Sequence, residues 1–488
     1  MTALRGLPHL KEDFVASLVV FLVALPLCVG VAVASGVPAE LGLVTGIVGG
    51  IVTGLMRGSS LQVSGPAAGL TVLVFEAVRE FGLPVLGAIV LVTGVLQLLM
   101  GALRLGRWFR AISVSVVEGM LAGIGLVLVA GQLYSVAGRQ APASGLEKLA
   151  GLPGALAGAV ASAEALPPLV LGAGTIAVLV LWPHLPRVVR AVPGPLAAVG
   201  LATLATAVLD LRVATVEVRG LLDSVHPPSL DALGEQASAG LLGTIVAFTL
   251  IASAESMFSA AAVDRLHNGP RTEYNRELIA QGAGNTVCGL LGALPMTAVI
   301  VRSAANVQAG ARTKVSRVLH GVWLLLFAAL LPSVLAHIPI PALAGILVYS
   351  GARLVPVRQL VTLWREHRGE AFILVVTALS IVAVSMFEGV LIGLALAVVK
   401  TAWEASHIRL EVVDKGAGPV QAHLSGNATF LRLPKILDSL EALPQDRPVE
   451  LDLSGLHHLD HACRTALENW AERHSAAGTE PVRMTSGR

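Results

Sequence analysis

Between Phe14 and Ala39 the chain carries no Asp, Glu, Lys, Arg or His. Such a run exceeds the roughly 18 apolar residues that mark a candidate membrane span. Similar runs recur to residue 400, and composition agrees with them. Of 488 residues 55% are hydrophobic and 14% charged, against about 25% charged in a soluble domain. These figures describe an integral membrane protein and exclude a secreted, disordered or disulfide-built one. A formal net charge of +2 is too small to imply a nucleic-acid partner. Cys28, Cys288 and Cys463 lie far apart without a C-x-x-C spacing, so neither a zinc site nor a disulfide framework is expected. Cys28 and Cys288 read as small buried hydrophobes. No small-residue cleavage site follows the first run, which reads as a helix rather than a signal peptide.

About fourteen spans or half-spans can be marked. The long ones are Phe14–Ala34, Leu41–Met56, Val85–Leu103, Val114–Leu133, Leu169–Leu181, Gly240–Val263, Val318–Leu335 and Phe372–Met386. The short or interrupted ones are Ala67–Phe81, Leu196–Leu209, Ile279–Leu294, Thr297–Ala309, Ala342–Ser350 and Val390–Val399. With a cytoplasmic N-terminus, the inner loops hold sixteen Lys and Arg and the outer loops five. Arg57, Arg110, Arg187 and Arg317 count among the inner set, and Arg79, Lys148 and Arg219 among the outer. This positive-inside bias puts both termini in the cytoplasm. Short Gly/Pro-broken segments follow the second span (Ser64-Gly65-Pro66) and the ninth (Leu294-Pro295). Paired interruptions of this kind point to a transporter binding site between two inverted halves of seven spans. The expected architecture is therefore an all-α polytopic domain over 1–404, with inverted repeats at about 13–210 and 238–404. Strand and helix patterns after Thr401 predict a small cytoplasmic α/β domain over 405–488.

Two devices suit an anion at mid-membrane. Half-helices starting near Pro66 and Pro295 would aim unpaired N–H groups and partial positive charge at one point. Arg302 is the one arginine read as lying well inside a span, about two turns beyond Pro295. Burying it costs at least ~2.5–3.5 kcal/mol, so it needs a partner: an anion, a salt bridge to Glu255, or a capped carbonyl. Glu255 is the acid placed deepest in a span, where it could take up a proton or ligate Na⁺. Glu118, nearer the inner end of its own span, reads as the weaker case. Gln132, Asn285 and Asn306 read as interhelical hydrogen-bond partners, and His457, His458 and His461 as surface histidines.

The motifs Ala24-Leu25-Pro26, Gln62-Val63-Ser64-Gly65-Pro66-Ala67-Ala68-Gly69, Asn275-Arg276-Glu277-Leu278-Ile279-Ala280-Gln281-Gly282 and Arg302-Ser303-Ala304-Ala305-Asn306 carry a resemblance over nearly the whole chain. The sequence resembles the sulfate permease family, the bacterial relatives of the solute carrier 26 anion transporters. Its tail, with Asp452-Leu453-Ser454-Gly455 and Leu459-Asp460, is similar to that family's STAS domain. In regulatory STAS proteins a phosphorylatable serine follows this aspartate; His461 stands there instead. The resemblance implies a core domain moving against a gate domain, a homodimer, a cytoplasmic partner for the STAS domain, and a small inorganic or organic anion as substrate. It implies no enzyme activity. The candidate substrate-binding residues are Ser64, Gly65, Pro66, Ala67 and Ala68 with Thr297, Ala298, Val299, Ile300, Val301 and Arg302. Glu255 and Ser259 are the candidate coupling-ion residues, with no cofactor beyond H⁺ or Na⁺. In the sodium-coupled bicarbonate branch an Asp and two Thr occupy the positions of Glu255, Ser259 and Ile300, so Ile300 removes one hydroxyl ligand. The phrase Val23–Gly30 and the run Gln62–Thr71 look like the bicarbonate branch. Secondary active bicarbonate uptake at the plasma (inner) membrane is the leading expectation. Symport of sulfate or a dicarboxylate is the alternative, and an uncoupled anion channel or nucleobase symporter is further off.

Overall fold

The computed structural model describes residues 9–485, except 108–112, 187, 219, 222, 229–230, 232–234, 237, 415, 417 and 478–480. The loop charges assigned to Arg110, Arg187 and Arg219 lie outside the described residues. The chain folds as two compact units, residues 1–393 and 394–488.

Within the first unit, helices α1 (Leu10–Ala34) and α2 (Ala39–Leu55) lead to a short strand β1 (Ser64–Pro66). Helices α3 (Thr71–Phe81), α4 (Leu83–Ala102), α5 (Val114–Val136), α6 (Gly145–Ala161), α7 (Leu166–Leu181) and α8 (Gly194–Val208) follow. Among the described residues the same order then recurs: α9 (Ala239–Val263), α10 (Tyr274–Leu290), strand β2 (Met296–Ala298) and α11 (Ile300–Gln308). It continues through α12 (Val315–Leu330), α13 (Ile340–Ala352), α14 (Val357–Glu366), α15 (Arg368–Ala383) and α16 (Met386–Ala405), which runs on past residue 393 into the second unit. Among the described residues each repeat thus has seven helices matching the fourteen expected spans, plus an extra helix (α6, α14) between its fifth and sixth; a one-turn helix, Pro332–Leu335, also follows α12. Among the described residues, seven helical stretches are long and apolar enough to cross a membrane, and α2, α8 and α12 are shorter apolar helices.

Local chemistry explains the breaks. Gly36, at φ +72°, and Pro38 separate α1 from α2. Gly82, at φ +84°, ends α3, and Pro84 starts α4 where its missing N–H has no helical partner. Ser238 caps α9 by accepting from the Leu241 N–H at 3.1 Å.

The helices sort into two packed groups. In one, α4 lies on α9 and α10, and α12 lies on α1 and α2; in the other, α5 lies on α13 and α15, and α7 on α8 and α13. Small residues bring helices close where lipid supplies no hydrophobic drive. At the α2–α12 crossing a Cβ on Gly50 would stand 2.5 Å from Gly321 Cα, so backbone meets backbone there.

The connection between α2 and β1 is irregular chain, buried at Ser59 and from Leu61 to Val63. Such chain is tolerated only where protein satisfies its polar groups, and here side chains do so. Arg317, 2% exposed, donates to the Met56 and Gln62 carbonyls at 3.1 and 3.3 Å. Asn306 donates to Leu61 O at 2.9 Å, and Ser303 Oγ accepts from the Val63 N–H at 2.9 Å. The buried Glu277 carboxylate accepts from the Ser59 N–H and from Gln281, both at 2.7 Å. Arg317 is thus a second buried arginine, in α12, and not the loop charge expected of it. Helix α12 begins at Val315, three residues before the expected Val318.

The second unit carries a four-stranded sheet in the order β3–β4–β5–β6. The strands are β3 (Ile408–Val413), β4 (Val420–Ala428), β5 (Val449–Leu459) and β6 (Arg483–Thr485), with helices α17 (Leu433–Glu441) and α18 (His461–Ala477). β3 runs antiparallel to β4, while β4–β5 and β5–β6 are parallel. Its core joins Val420, Leu424, Leu451, Leu467 and Trp470. Asp460 accepts from the Phe430 N–H at 2.6 Å and the Cys463 N–H at 2.8 Å, capping α18.

Asn285 holds β2 as a neighbouring strand would, accepting from the Met296 N–H at 2.7 Å and donating to Met296 O at 3.1 Å. Asn285→Ala leaves two buried backbone groups unpaired, at about 1–3 kcal/mol each. We expect a markedly lower unfolding temperature in detergent than for Asn285→Asp, which keeps the acceptor for the Met296 N–H.

Candidate functional site

Strands β1 and β2 pair antiparallel at the centre of the first unit, with Ser64 opposite Ala298, Gly65 opposite Thr297 and Pro66 opposite Met296. A further bond, Val299 N–H to Val63 O at 2.9 Å, extends the ribbon. Beyond Pro66 a helical turn opens at Ala68 and continues into α3, and beyond Ala298 helix α11 opens at Ile300. Because the strands are antiparallel, the two helices leave the crossing in opposed directions with their N-termini beside it. The first-turn N–H groups of a helix have no intrahelical partner, so positive partial charge collects at this point.

Both helices start later than expected. Pro66 lies in a strand rather than in the first helical turn, and Pro295 precedes one. The three paired residues on each side take up the chain that was read as helix. Arg302 therefore sits in the first turn of α11, not two turns in. It is 1% exposed. Its Nη2 donates to Pro66 O at 3.2 Å, while Nε and Nη1 have no hydrogen-bond partner. Cys28 lies beside the guanidinium. No ion pair joins Arg302 to Glu255 among the described residues; the carbonyl of β1 is its partner. Gly65 makes the approach possible, since a Cβ there would overlap Nη1.

Glu255, on α9, reaches the other N-terminus. A Cβ on Gly69, in the opening turn before α3, would stand 2.9 Å from the Glu255 carboxyl carbon and closer still to Oε1. Oε2 is buried with no hydrogen-bond partner, and the Thr297 side chain lies beside the carboxylate. Ser259 donates to Ala298 O at 2.8 Å, and Ser256 Oγ accepts from the Ala298 N–H at 3.2 Å. These two serines tie α9 to β2.

The remaining candidates divide into scaffold and rim. Ser64 is engaged away from the crossing, its Oγ accepting from Gln281 at 2.8 Å. The N–H groups of Ala298 and Val299 are already bonded, so neither is free to hold an anion. Ala67 and Thr297 are buried, and Ala68 is half-buried. Ile300 and Val301, 42% and 47% exposed, present hydrocarbon, and only their first-turn N–H groups are polar. Asn285 also donates to Gln97 Oε1 on α4 at 2.8 Å, the interhelical bond expected of it, whereas Asn306 bonds the connection before β1 and not a helix. Gly69 and Cys28 were not among the candidate site residues. Gly69 ends the motif that begins at Gln62, but its contact with Glu255 is long-range and leaves no periodic trace. Glu118 instead shares an open cavity of about 310 Å³ with Ser115, Arg358 and Thr362.

Residues 10–377 match the Sulfate permease family. The chain belongs to this family. Its members are membrane transporters and not enzymes, and this one is a multi-pass anion transporter. YvdB of Bacillus subtilis (strain 168), provisionally named a sulfate transporter, is 27% identical over an alignment of 485 positions that covers 96% of this chain and 90% of YvdB. The bicarbonate transporter BicA of Picosynechococcus sp. is also 27% identical, over 95% of this chain and 86% of its own. The solved structure of SLC26A9 has the same fold, with a TM-score of 0.80 at 15% identity over 99% of this chain and 85% of that one.

Gly65→Ala places a methyl group where Nη1 now lies and costs about 1–3 kcal/mol of packing energy. The variant should elute from size exclusion as the wild type does but lose most anion uptake in proteoliposomes. Undiminished uptake would place the guanidinium off the transport path.

Proposed function

We propose that this sulfate permease family member takes up bicarbonate across the plasma (inner) membrane, with the anion seated between the first turns of α3 and α11. The observation that carries the reading is Arg302: a guanidinium 1% exposed, with Nε and Nη1 unpartnered. A buried cation is costly until paired, and a small anion is the partner whose charge and size suit the crossing. Free N–H groups of Ala68, Gly69, Ile300 and Val301 would complete its shell, as at other helix N-termini. BicA supports the choice of bicarbonate, and YvdB, equally identical, supports sulfate as the second reading.

Coupling runs through Glu255 and, in this reading, uses a proton. Ile300 contributes no oxygen beside Glu255 and Ser259, which disfavours a sodium shell of hard oxygen ligands. Transport proceeds by elevator-type alternating access, the group holding both crossing strands (α1–α4 with α9–α12) moving against the α5–α8 and α13–α15 group. The protein works as a homodimer with both termini in the cytoplasm, and the second unit is its STAS domain.

Uptake of labelled bicarbonate, sulfate and succinate into proteoliposomes, under imposed H⁺ or Na⁺ gradients, tests each part. Arg302→Ala should abolish uptake, because each charge-assisted hydrogen bond is worth about 1.5–3 kcal/mol, or roughly 10–100-fold in affinity. Glu255→Gln should remove the response to a proton gradient. Preference for sulfate would replace the substrate assignment, and a Glu255-dependent sodium requirement would replace the proton.

A further inference from the structure

Glu255 and Gly69 together say more about this seat. The carboxylate lies against a glycine in the opening turn of a half-helix, in space that any side chain at position 69 would fill. Oxygen Oε2 is buried there without a hydrogen-bond partner. A carboxylate serving as a helix cap would show bonds to first-turn N–H groups, and none is made to Gly69 among the described residues. Among the described residues no helix N–H holds the side chain; its one hydrogen-bond partner is the Thr297 side chain of β2.

Charged groups on the elements packed against α9 are otherwise occupied. Glu277 on α10 is held by Ser59 and Gln281, and Arg276 pairs with Glu273 at 2.8 Å. Arg302 on α11 turns to Pro66 O, while Glu76, Arg79 and Glu80 belong to the far part of α3. Helix α4 carries no charged residue. The Glu255 carboxylate is thus the one negative group brought to this helix N-terminus among the described residues.

We propose that Glu255 is a tethered stand-in for the transported anion, filling the seat at the α3 N-terminus when no substrate is bound and leaving it, or becoming neutral, when substrate enters. The inference rests on the seat assigned above. Ionised, Glu255 competes with the anion at the high effective concentration of a tethered group. Protonated at one carboxyl oxygen by a proton from solvent, it brings no charge, and the anion takes the helix end. One proton therefore enters with each anion without any direct bond between them.

Binding of bicarbonate and of sulfate to the full chain in lipid nanodiscs, measured calorimetrically at fixed anion concentrations and at mildly acidic and mildly alkaline pH, tests this. The wild type should bind more weakly at alkaline pH, by about tenfold. Glu255→Gln and Glu255→Ala should each bind as tightly at alkaline pH as the wild type does at acidic pH. Variants that bind no more tightly than wild type at alkaline pH would overturn the proposal, as would a wild type indifferent to pH. Arg302→Ala separates the two levels. If it binds nothing while the Glu255 variants match wild type, the seat stands and the competition falls. If it binds like wild type, or if wild type binds neither anion, the seat itself is wrong and the competition goes with it.

Discussion

A peptide group inside a bilayer has no water to fall back on, and the rest of this molecule depends on how that rule is met at one crossing. Two three-residue strands pair with each other, so each half-helix can begin at mid-depth with its first N–H groups unspent. Everything around the crossing serves to hold it. Asn285 closes the free edge of β2, Ser256 and Ser259 bind the two faces of Ala298, and Arg317, Asn306 and Ser303 satisfy the chain leading into β1. The polar cost of breaking two helices is met by side chains drawn from three others, α9, α10 and α12, and from α11 itself.

Two charges then divide the site. Arg302 stands by β1 through Gly65, and Glu255 stands by the α3 turn through Gly69. They approach the same region from different helices without pairing. In the proposed reading, keeping them apart leaves one permanent cation and one acid able to carry a proton, and so a site whose net charge follows that proton.

Much of this was legible before any coordinates. The fourteen spans follow from apolar runs, the crossing from paired Gly/Pro breaks, and the burial of Arg302 from its place in a span. Strands β3 to β5 and helices α17 and α18 follow from alternation and helical spacing. The parts that were not legible fail for physical reasons. Three-residue strands have no period to detect, so the half-helices were started at their prolines. Arg317 lies near a span end, where position alone cannot separate a snorkelling side chain from a buried one. Helix α6 contains Pro153, and α14 is amphipathic with Arg358 and Arg365, so neither resembles a span. Contacts such as Glu255 with Gly69 join residues far apart in sequence, and single-chain patterns do not encode them.

The meeting of Gly50 with Gly321 has a mechanical consequence. Where two helices touch through bare backbone, no layer of side chains remains to slide or repack. Helices α2 and α12, one from each repeat, are locked there like keyed parts. In the proposed alternating access these two helices would therefore move as one body, with the displacement taken up elsewhere.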